Sequence, residues 1–411
     1  MPEVELRVSD VIAALDIGSS KVSALVAKVD GDNVVVIGSG LAPSRGMEKG
    51  VVADIAAVSE SVGRAVEEAE RSSRYGIDRA WVSIGGAHIQ SQNSRGEAIV
   101  SQAMRGVEQA DVDRALSEAR VLALPQERQV LHVVPRGYWL DNSVLVREPI
   151  GMAAHRLDAE VHVVTALDSA ARNLTRCVEG AGVAVEGLIA QVLAAGEAVL
   201  TPNEREMGVA CINIGAGTTD IGVYLNGSVW HTVTLGTGGN HITSDLAIGL
   251  HAPLEVAEDV KLRYGHCLTR QIQPDEIVRI SGFGGDGARE FTREEVVRII
   301  EARVEEICTL VQRELRRSSF DGLLSAGAVL CGGTANLPGI ADLASEVMDM
   351  PVRVVAPRQV QGLTEVIGDV GQATGVGLLL WGARQRQTPD VEAGGGILHR
   401  LGRILRAILP G

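Results

Sequence analysis

At 411 residues the chain exceeds what one core usually serves, and 45% apolar residues with 48 glycines suit a globular α/β protein rich in tight turns. Acidic residues outnumber basic ones by 52 to 38, a formal charge of −14, which excludes broad non-specific binding to nucleic acid. Five scattered cysteines without a CxxC pair exclude a disulfide framework and a cysteine zinc site, and the nine histidines show no HExxH spacing.

In chain order, the opening MPEVELRVSD carries acidic residues and no apolar secretion core, so a cytoplasmic location is expected. No run reaches the roughly 18 apolar residues that a spanning helix requires. Strands are predicted at Val11–Leu15 and Val22–Val26, joined by the turn Asp16-Ile17-Gly18-Ser19-Ser20-Lys21, with a third strand at Val34–Gly38. Residues Asp54–Glu70 place Ile55, Val58, Val62, Val66 and Ala69 on one helical face, and Ala80–Ile84 is the next strand.

The pattern changes between Gly85 and Asp158, where three prolines interrupt short strands and a helix is predicted near Val112–Leu122. This stretch reads as a small inserted domain, because strand Val161–Thr165 then resumes the α/β rhythm. Asp168 or Ser169 is expected to cap the helix that follows.

A second α/β half opens with strand Val209–Ile214, the turn Gly215-Ala216-Gly217-Thr218-Thr219-Asp220 and strand Ile221–Leu225. Asn226-Gly227 signals a hairpin into Val229–Thr234. Thr292 with Glu295 predicts a capping box for a long helix reaching Arg317. Strand Gly327–Leu330 ends in Cys331-Gly332-Gly333, and a helix follows over Pro338–Met348.

The two halves begin alike, with an apolar strand, an Asp-Ile-Gly or Asn-Ile-Gly turn, hydroxyls and a second strand. Two similar lobes facing each other across a cleft are the simplest spatial meaning of that echo. In the first turn Gly18 permits close backbone approach, Ser19, Ser20 and Lys21 add donors, and Asp16 is placed to hold magnesium through water. The second turn offers two glycines, two threonines and Asp220. A third cluster, Gly236 to Asn240, precedes a helix whose N-terminus favours an anion. No GxxxxGK[ST] loop and no GxGxxG strand-to-helix fingerprint occurs.

ALDIGSSKV (Ala14–Val22), INIGAGTTDIGVY (Ile212–Tyr224) and AVLCGGTANLPGI (Ala328–Ile340) resemble the two phosphate motifs and the adenosine motif of the actin, sugar-kinase and heat-shock-70 superfamily. SRGMEKGVVADI (Ser44–Ile55), GGAHIQSQNSRG (Gly85–Gly96), ALPQERQVLHVVPRGYWLD (Ala123–Asp141) and GGNHITSDLAIGL (Gly238–Leu250) resemble the bacterial cell-division FtsA family within it, over essentially the whole chain.

The resemblance implies an actin-like two-lobed α/β fold with an FtsA-type inserted subdomain and a C-terminal amphipathic helix. The first core lobe would comprise residues 1–84 and 159–205, the insertion 85–158, the second core lobe 206–241 and 309–383, and the outer subdomain 242–308. A linker over 384–396 and the helix over 397–411 would complete the chain.

It also implies ATP or ADP with Mg2+ between the lobes. Phosphate contacts carry over to Asp16, Gly18, Ser19, Ser20, Lys21, Gly215, Gly217, Thr218, Thr219 and Asp220, and base and ribose contacts to Gly238, Gly239, Asn240, Glu258, Lys261, Gly332, Gly333 and Ala335. Asp16, Gln191 and Asp220 become the catalytic set, with both aspartates near the metal through water and Gln191 where actin orients water. Asn213 and Ala216 depart from the family's usual Asp-Ile-Gly-Gly-Gly, which points to weak or conditional hydrolysis. Only four lysines occur (Lys21, Lys28, Lys49, Lys261), and two fall at nucleotide positions.

The C-terminal segment reads ILHRLGRILRAILPG after the polar stretch QRQTPDVEAGGG. Ile397, Leu398, Leu401, Ile404, Leu405, Ile408 and Leu409 fall within an arc of roughly 140°, with Arg400, Arg403 and Arg406 on the other side. A detached helix with a cationic polar face suits the surface of an anionic membrane. Partners implied by the resemblance are the C-terminal peptide of FtsZ at residues 242–308, further copies of the chain in filaments, anionic lipids, and other division proteins through the insertion. The setting is the cytoplasmic face of the cell membrane at the division site. Another actin-like scaffold of the pilus-assembly or cell-shape type is the alternative; a sugar kinase would need a catalytic aspartate beside a sugar pocket, and no insertion here offers a recognisable one.

Overall fold

The computed structural model describes residues 11–101, 105–121, 124–273, 275–282 and 289–387. Strands β1 (Val11–Ile17), β2 (Lys21–Asp30) and β3 (Asn33–Pro43) form an antiparallel meander. A small hairpin of β4 (Met47–Glu48) and β5 (Val51–Val52) follows. Asp54 caps helix α1 (Ile55–Ser73) by accepting from the Ala57 N–H at 3.1 Å, and Val58, Val62, Val66 and Ala69 form its buried stripe. Strand β6 (Arg79–Ile84) pairs parallel with β1.

The insertion contains β7 (Gln90–Ile99), α2 (Gln109–Ala119), β8 (Arg128–Leu140), β9 (Val144–Val146) and β10 (Arg156–Leu167), with sheet order β7-β10-β8-β9. It has its own core around Val112, Leu116, Tyr138, Leu157 and Val161. Residues Val161–Thr165, expected to resume the first lobe, belong to β10 and pair with β7 and β8. The strand is buried on both faces, so its apolar run imitates a core strand of a parallel sheet.

The chain passes directly from β10 into α3 (Asp168–Gly180), so Leu167 holds the cap position and makes no side-chain cap bond. The expected Asp168 or Ser169 cap is therefore absent. Asp168 is already helical and pairs with Arg172 at 2.7 Å. Strand β11 (Ala184–Ala190) and helix α4 (Gln191–Val199) follow, and the first sheet runs β11-β6-β1-β2-β3.

Helix α5 (Pro202–Met207) leads into the second lobe, where β12 (Val209–Ile214), β13 (Thr219–Leu225) and β14 (Ser228–Leu235) repeat the meander. Asn226 (φ 51°) and Gly227 (φ 76°) make the turn that the sequence signals. An outer unit comprises α6 (Gly239–Gly249), α7 (Leu254–Tyr264), β15 (Ile277–Ile280), β16 (Arg289–Thr292) and α8 (Arg293–Arg317). The Thr292–Glu295 capping box forms as predicted.

Strand β17 (Ala328–Cys331), helix α9 (Ile340–Met348) and strand β18 (Val352–Val354) complete a sheet of order β14-β13-β12-β17-β18. The chain then returns to the first lobe. Strand β19 (Gln361–Gly362) pairs with β3, and after α10 (Thr364–Ile367) helix α11 (Ala373–Gln387) crosses α4. Their backbones nearly touch, since a Cβ on Gly377 would lie 1.7 Å from the Ala194 carbonyl oxygen. Residues 384–387, expected as linker, are helical and end α11.

Candidate functional site

Both meanders end in hairpin turns of the same build. The Gly18 N–H donates to the Lys21 carbonyl at 3.0 Å, and the Gly215 N–H donates to the Thr218 carbonyl at 2.9 Å. The turns meet across the interlobe cleft. A Cβ on Gly217 would stand 2.5 Å from Ser19 Oγ and 3.2 Å from the Lys49 Cα, so only glycine allows this approach.

Each turn carries one carboxylate. Asp16 accepts from Ser83 Oγ at 2.7 Å, and Ser83 Oγ also accepts from the Ile17 N–H at 3.1 Å, which fixes the end of β1 against β6. Asp220 accepts from Thr234 Oγ1 at 2.6 Å and from Thr218 Oγ1 at 3.4 Å. Burial raises both carboxyls above the usual range. For Asp16 the Ser83 bond, the Lys21 charge and Gln191 counteract part of that rise. Asp220 is pushed up to about 6, and the Asp16 charge adds to the rise. Two enclosed acids that repel each other form an electrostatic arrangement suited to a cation between them.

Gln191 opens α4 with its Nε2 3.5 Å from Asp16 Oδ1 and 3.5 Å from Ser83 Oγ, while its Oε1 lies against Gly85. The Lys21 ammonium sits 3.3 Å from Asp369 Oδ2. Burial pushes the Asp369 carboxyl up, but Lys21, the Gly371 N–H and the Asn336 amide together hold it below the usual range. Asn213 is buried and donates from Nδ2 to Thr374 Oγ1 at 3.4 Å.

The glycine cluster before α6 folds onto the second hairpin. The Gly239 N–H donates to the Gly215 carbonyl at 2.9 Å, and the Asn240 N–H donates to the Ala216 carbonyl at 2.7 Å. Thr334 Oγ1 reaches the same Gly215 carbonyl at 2.9 Å, which brings in Gly332 (φ 89°), Gly333 and the buried Ala335. Lys261 Nζ lies 2.6 Å from Glu258 Oε2, donates to Thr243 Oγ1 at 2.9 Å and to the Gly239 carbonyl at 3.3 Å. The residues singled out in the sequence thus gather around one cleft, with Glu258 and Lys261 at its outer wall.

Sequence reasoning missed Ser83, Thr234, Thr334, Asp369, Gln372 and Thr374. Ser83 and Thr234 sit on neighbouring elements without a motif of their own, and Thr334 lies inside the adenosine-type motif Ala328–Ile340 but was not singled out within it. The last three lie in a segment whose polar side chains acquire meaning only when it returns to the first lobe. Ser23 Oγ donates to Gln372 Oε1 at 2.8 Å, so this one segment touches both hairpins.

A family model described as "Cell division protein FtsA" matches residues 210–377, and one described as "SHS2 domain inserted in FTSA" matches residues 86–165. Cell division protein FtsA of Pseudomonas aeruginosa is 42% identical over 376 residues, covering 91% of this chain and 90% of that protein. The chain belongs to the FtsA family. The FtsA of Neisseria meningitidis is 38% identical, covering 95% of this chain and 97% of that protein, and the FtsA of Bacillus subtilis is 35% identical, covering 94% and 86%.

Solved structures share the fold of this FtsA-family chain. A PilM-PilN type IV pilus biogenesis complex aligns with TM-score 0.65 at 17% identity, covering 90% of this chain and 98% of that one. MreB5 of Spiroplasma citri bound to ADP aligns with TM-score 0.55 at 14% identity, covering 92% and 99%. The fold is therefore actin-like.

The membrane residues Ile397, Leu398, Arg400, Leu401, Arg403, Ile404, Leu405, Arg406, Ile408 and Leu409 lie outside the described residues. Among the described residues no helix is long and apolar enough to cross a membrane, and no group of three or more metal-ligating side chains occurs.

Proposed function

We propose that the cleft binds ATP or ADP with magnesium and that the bound nucleotide holds the two lobes in a form competent to self-associate. The observation that carries this reading is the meeting of the two hairpin turns at Ser19 and Gly217, with one enclosed carboxylate, Asp16 or Asp220, on each hairpin. Their chemistry fits a hard, hydrated cation such as Mg2+, which oxygen donors hold directly or through water. The turn amides of Ser19, Ser20, Ala216 and Gly217 would cradle phosphates, and Gly238, Gly239, Asn240, Glu258, Lys261, Gly332, Gly333 and Ala335 would enclose ribose and base. Bound magnesium supplies positive charge that offsets the phosphates. Gln191, held beside Asp16 and Ser83, would orient water at the terminal phosphate, and Asn213 in place of a carboxylate keeps turnover slow.

The family's work is that of a cell-division scaffold, tethering FtsZ to the inner face of the membrane. The outer unit is the proposed receiver of the FtsZ C-terminal peptide, a reading supported by Ile248, Leu254, Leu262 and Ile277, which are exposed there. Residues 397–411 would lie on anionic lipid through their isoleucines and leucines, with the arginines toward phosphates. One short helix binds reversibly, so self-association would raise avidity by multiplying attachment points.

Calorimetry with the full chain tests the site. ATP with magnesium should bind, and Asp16→Asn and Asp220→Asn should each weaken it ~tenfold or more. A folded wild-type protein that takes up neither ATP nor ADP would sink the reading. For the tail, flotation with phosphatidylglycerol liposomes should fall on combining Arg403→Glu with Leu405→Ala, and unchanged flotation removes the anchor.

A further inference from the structure

The β4–β5 hairpin is short, yet its tip occupies a central place. Met47 pairs with Val52 and Glu48 with Val51, leaving Lys49 (φ 48°) and Gly50 (φ 79°) as a two-residue turn with both residues left-handed. Glycine takes that conformation without strain, whereas lysine does so rarely, so the turn holds Lys49 at a specific place. Met47 and Val52 anchor the hairpin by packing on the main core.

The tip touches three other parts of the cleft. The Gly50 N–H donates to Ser19 Oγ at 3.2 Å in the first phosphate turn. The Lys49 backbone lies against Gly217 of the second turn, where an added Cβ would come within 3.2 Å of the Lys49 Cα. Gly50 packs on Gly86, and the adjoining Gly85 packs on the Gln191 amide. The Gly215–Ala216 end of the second turn faces Gly238, Gly239 and Thr334 instead. Lys49 is thus at the end of the turn remote from the base and ribose residues and nearest to Gln191.

The charges sharpen the point. Lys21 is paired with Asp369 and Lys261 with Glu258. Lys49 is exposed and forms no ion pair among the described residues. An ammonium on a four-carbon stem is a mobile point charge, and from this turn its reach covers the space beside Ser19 and Gly217.

We propose that Lys49 contacts the terminal phosphate of a bound nucleoside triphosphate and so makes this cleft distinguish triphosphate from diphosphate. The proposal rests on the nucleotide reading of the cleft and assigns Lys49 a specificity role within it. A diphosphate ends before that position, so the lysine contributes little to its binding. Because the same turn bridges Ser19, Gly217 and Gly86, the contact reports the phosphate state to both lobes and to the root of the insertion.

The test is calorimetric titration of the full chain with magnesium and either ADP or a non-hydrolysable ATP analogue. Lys49→Ala should weaken the analogue ~tenfold, the scale of one charge-assisted contact, and leave ADP within about twofold of wild type. Lys49→Arg should restore most of the analogue's affinity. Equal loss for both ligands, or no loss for either, overturns the proposal, because a merely structural turn moves both together. If the wild type takes up neither ligand, the nucleotide reading fails and the proposal falls with it. If it takes up both and the ratio is unmoved by Lys49→Ala, only the proposal falls.

Discussion

The two hairpin turns of the cleft are built alike and held differently. In the first, Asp16 on the outgoing strand stands opposite Ser23, whereas in the second Asp220 on the returning strand stands opposite Asn213. Each hairpin therefore carries one acid, on opposite strands of matching scaffolds. Ser23 and Asn213, the non-acidic partners, are both tied to the segment of Gln372 and Thr374. The repeat supplies backbone geometry, and the side chains divide the chemistry. The second turn is also the more enclosed, with Thr218 and Thr219 buried and the Gly215 carbonyl taking both Thr334 and Gly239, while Ser20 in the first turn is exposed.

The largest effect should come from forcing the turns apart. Gly217→Val places carbon where Ser19 and Lys49 already stand, whereas Gly236→Ala meets nothing within 4 Å. Overpacking of this kind costs about 1–3 kcal/mol. Nucleotide affinity of Gly217→Val should fall by roughly 100-fold, with Gly236→Ala close to wild type in the same titration. Equal behaviour of the two variants would show that the turns do not close on a ligand.

The next test separates the two acids. Asp220 has a folded pKa of about 6 against an ordinary 3.8. Its carboxyl is therefore easier to protonate in the folded state. The associated stability is fully present below pH 3.8 and is lost as pH rises through about 6. Ligand-free Asp220→Asn should be more stable than wild type at pH 7 and above, by at most about 3 kcal/mol, with the gap closing toward pH 4. Its amide keeps an acceptor for Thr234. Magnesium with nucleotide should narrow that gap above pH 6, because it stabilises the wild type more than the variant. Thermal unfolding across that pH range measures both halves.

Much of this cleft was readable because hairpins, glycine clusters and capping boxes are local. Asp16-Ile17-Gly18, Gly215 to Asp220 and the Thr292–Glu295 box each fall within a few residues, and the structure forms them as the sequence signals. Contacts made over long separations were not readable. Asp369 meets Lys21 across 348 residues, and no local pattern marks it. Likewise β10 reads as a strand of the first lobe, because apolar residues on both faces reveal burial without naming the neighbours. The tip of the β4–β5 hairpin shows the same limit, since nothing local marks what Lys49 and Gly50 touch.

A smaller effect is expected from making the turns more alike. Asn213→Asp adds an acid opposite Asp220, beside Thr374, whose hydroxyl can turn to donate. The added charge strengthens the hold on a cation and raises repulsion when none is bound. Phosphate release should rise several-fold, and unfolding without magnesium should shift down by about 1–2 kcal/mol. Unchanged turnover with unchanged stability would mean that position 213 does not face the metal.

The smallest stability change should come from Lys21→Ala. Its bond to Asp369 is 3.3 Å long and both side chains are about a third exposed, at 37% and 34%. Solvent screens such a pair, so its loss should cost under about 1 kcal/mol in unfolding experiments. Asp369 also keeps the Gly371 N–H and the Asn336 amide, so its charge is not left without partners. Nucleotide affinity should nonetheless fall several-fold for ATP and ADP alike, because Lys21 lies beside Gly333 and Gly371 rather than at the Gln191 end of the cleft. Equal loss for Lys21→Ala and selective loss for Lys49→Ala would place the two lysines at different phosphates. If Lys21→Ala lowers stability strongly and leaves binding alone, the first turn is held by this ion pair, and its looser build relative to the second turn is an effect of packing with no part in recognition.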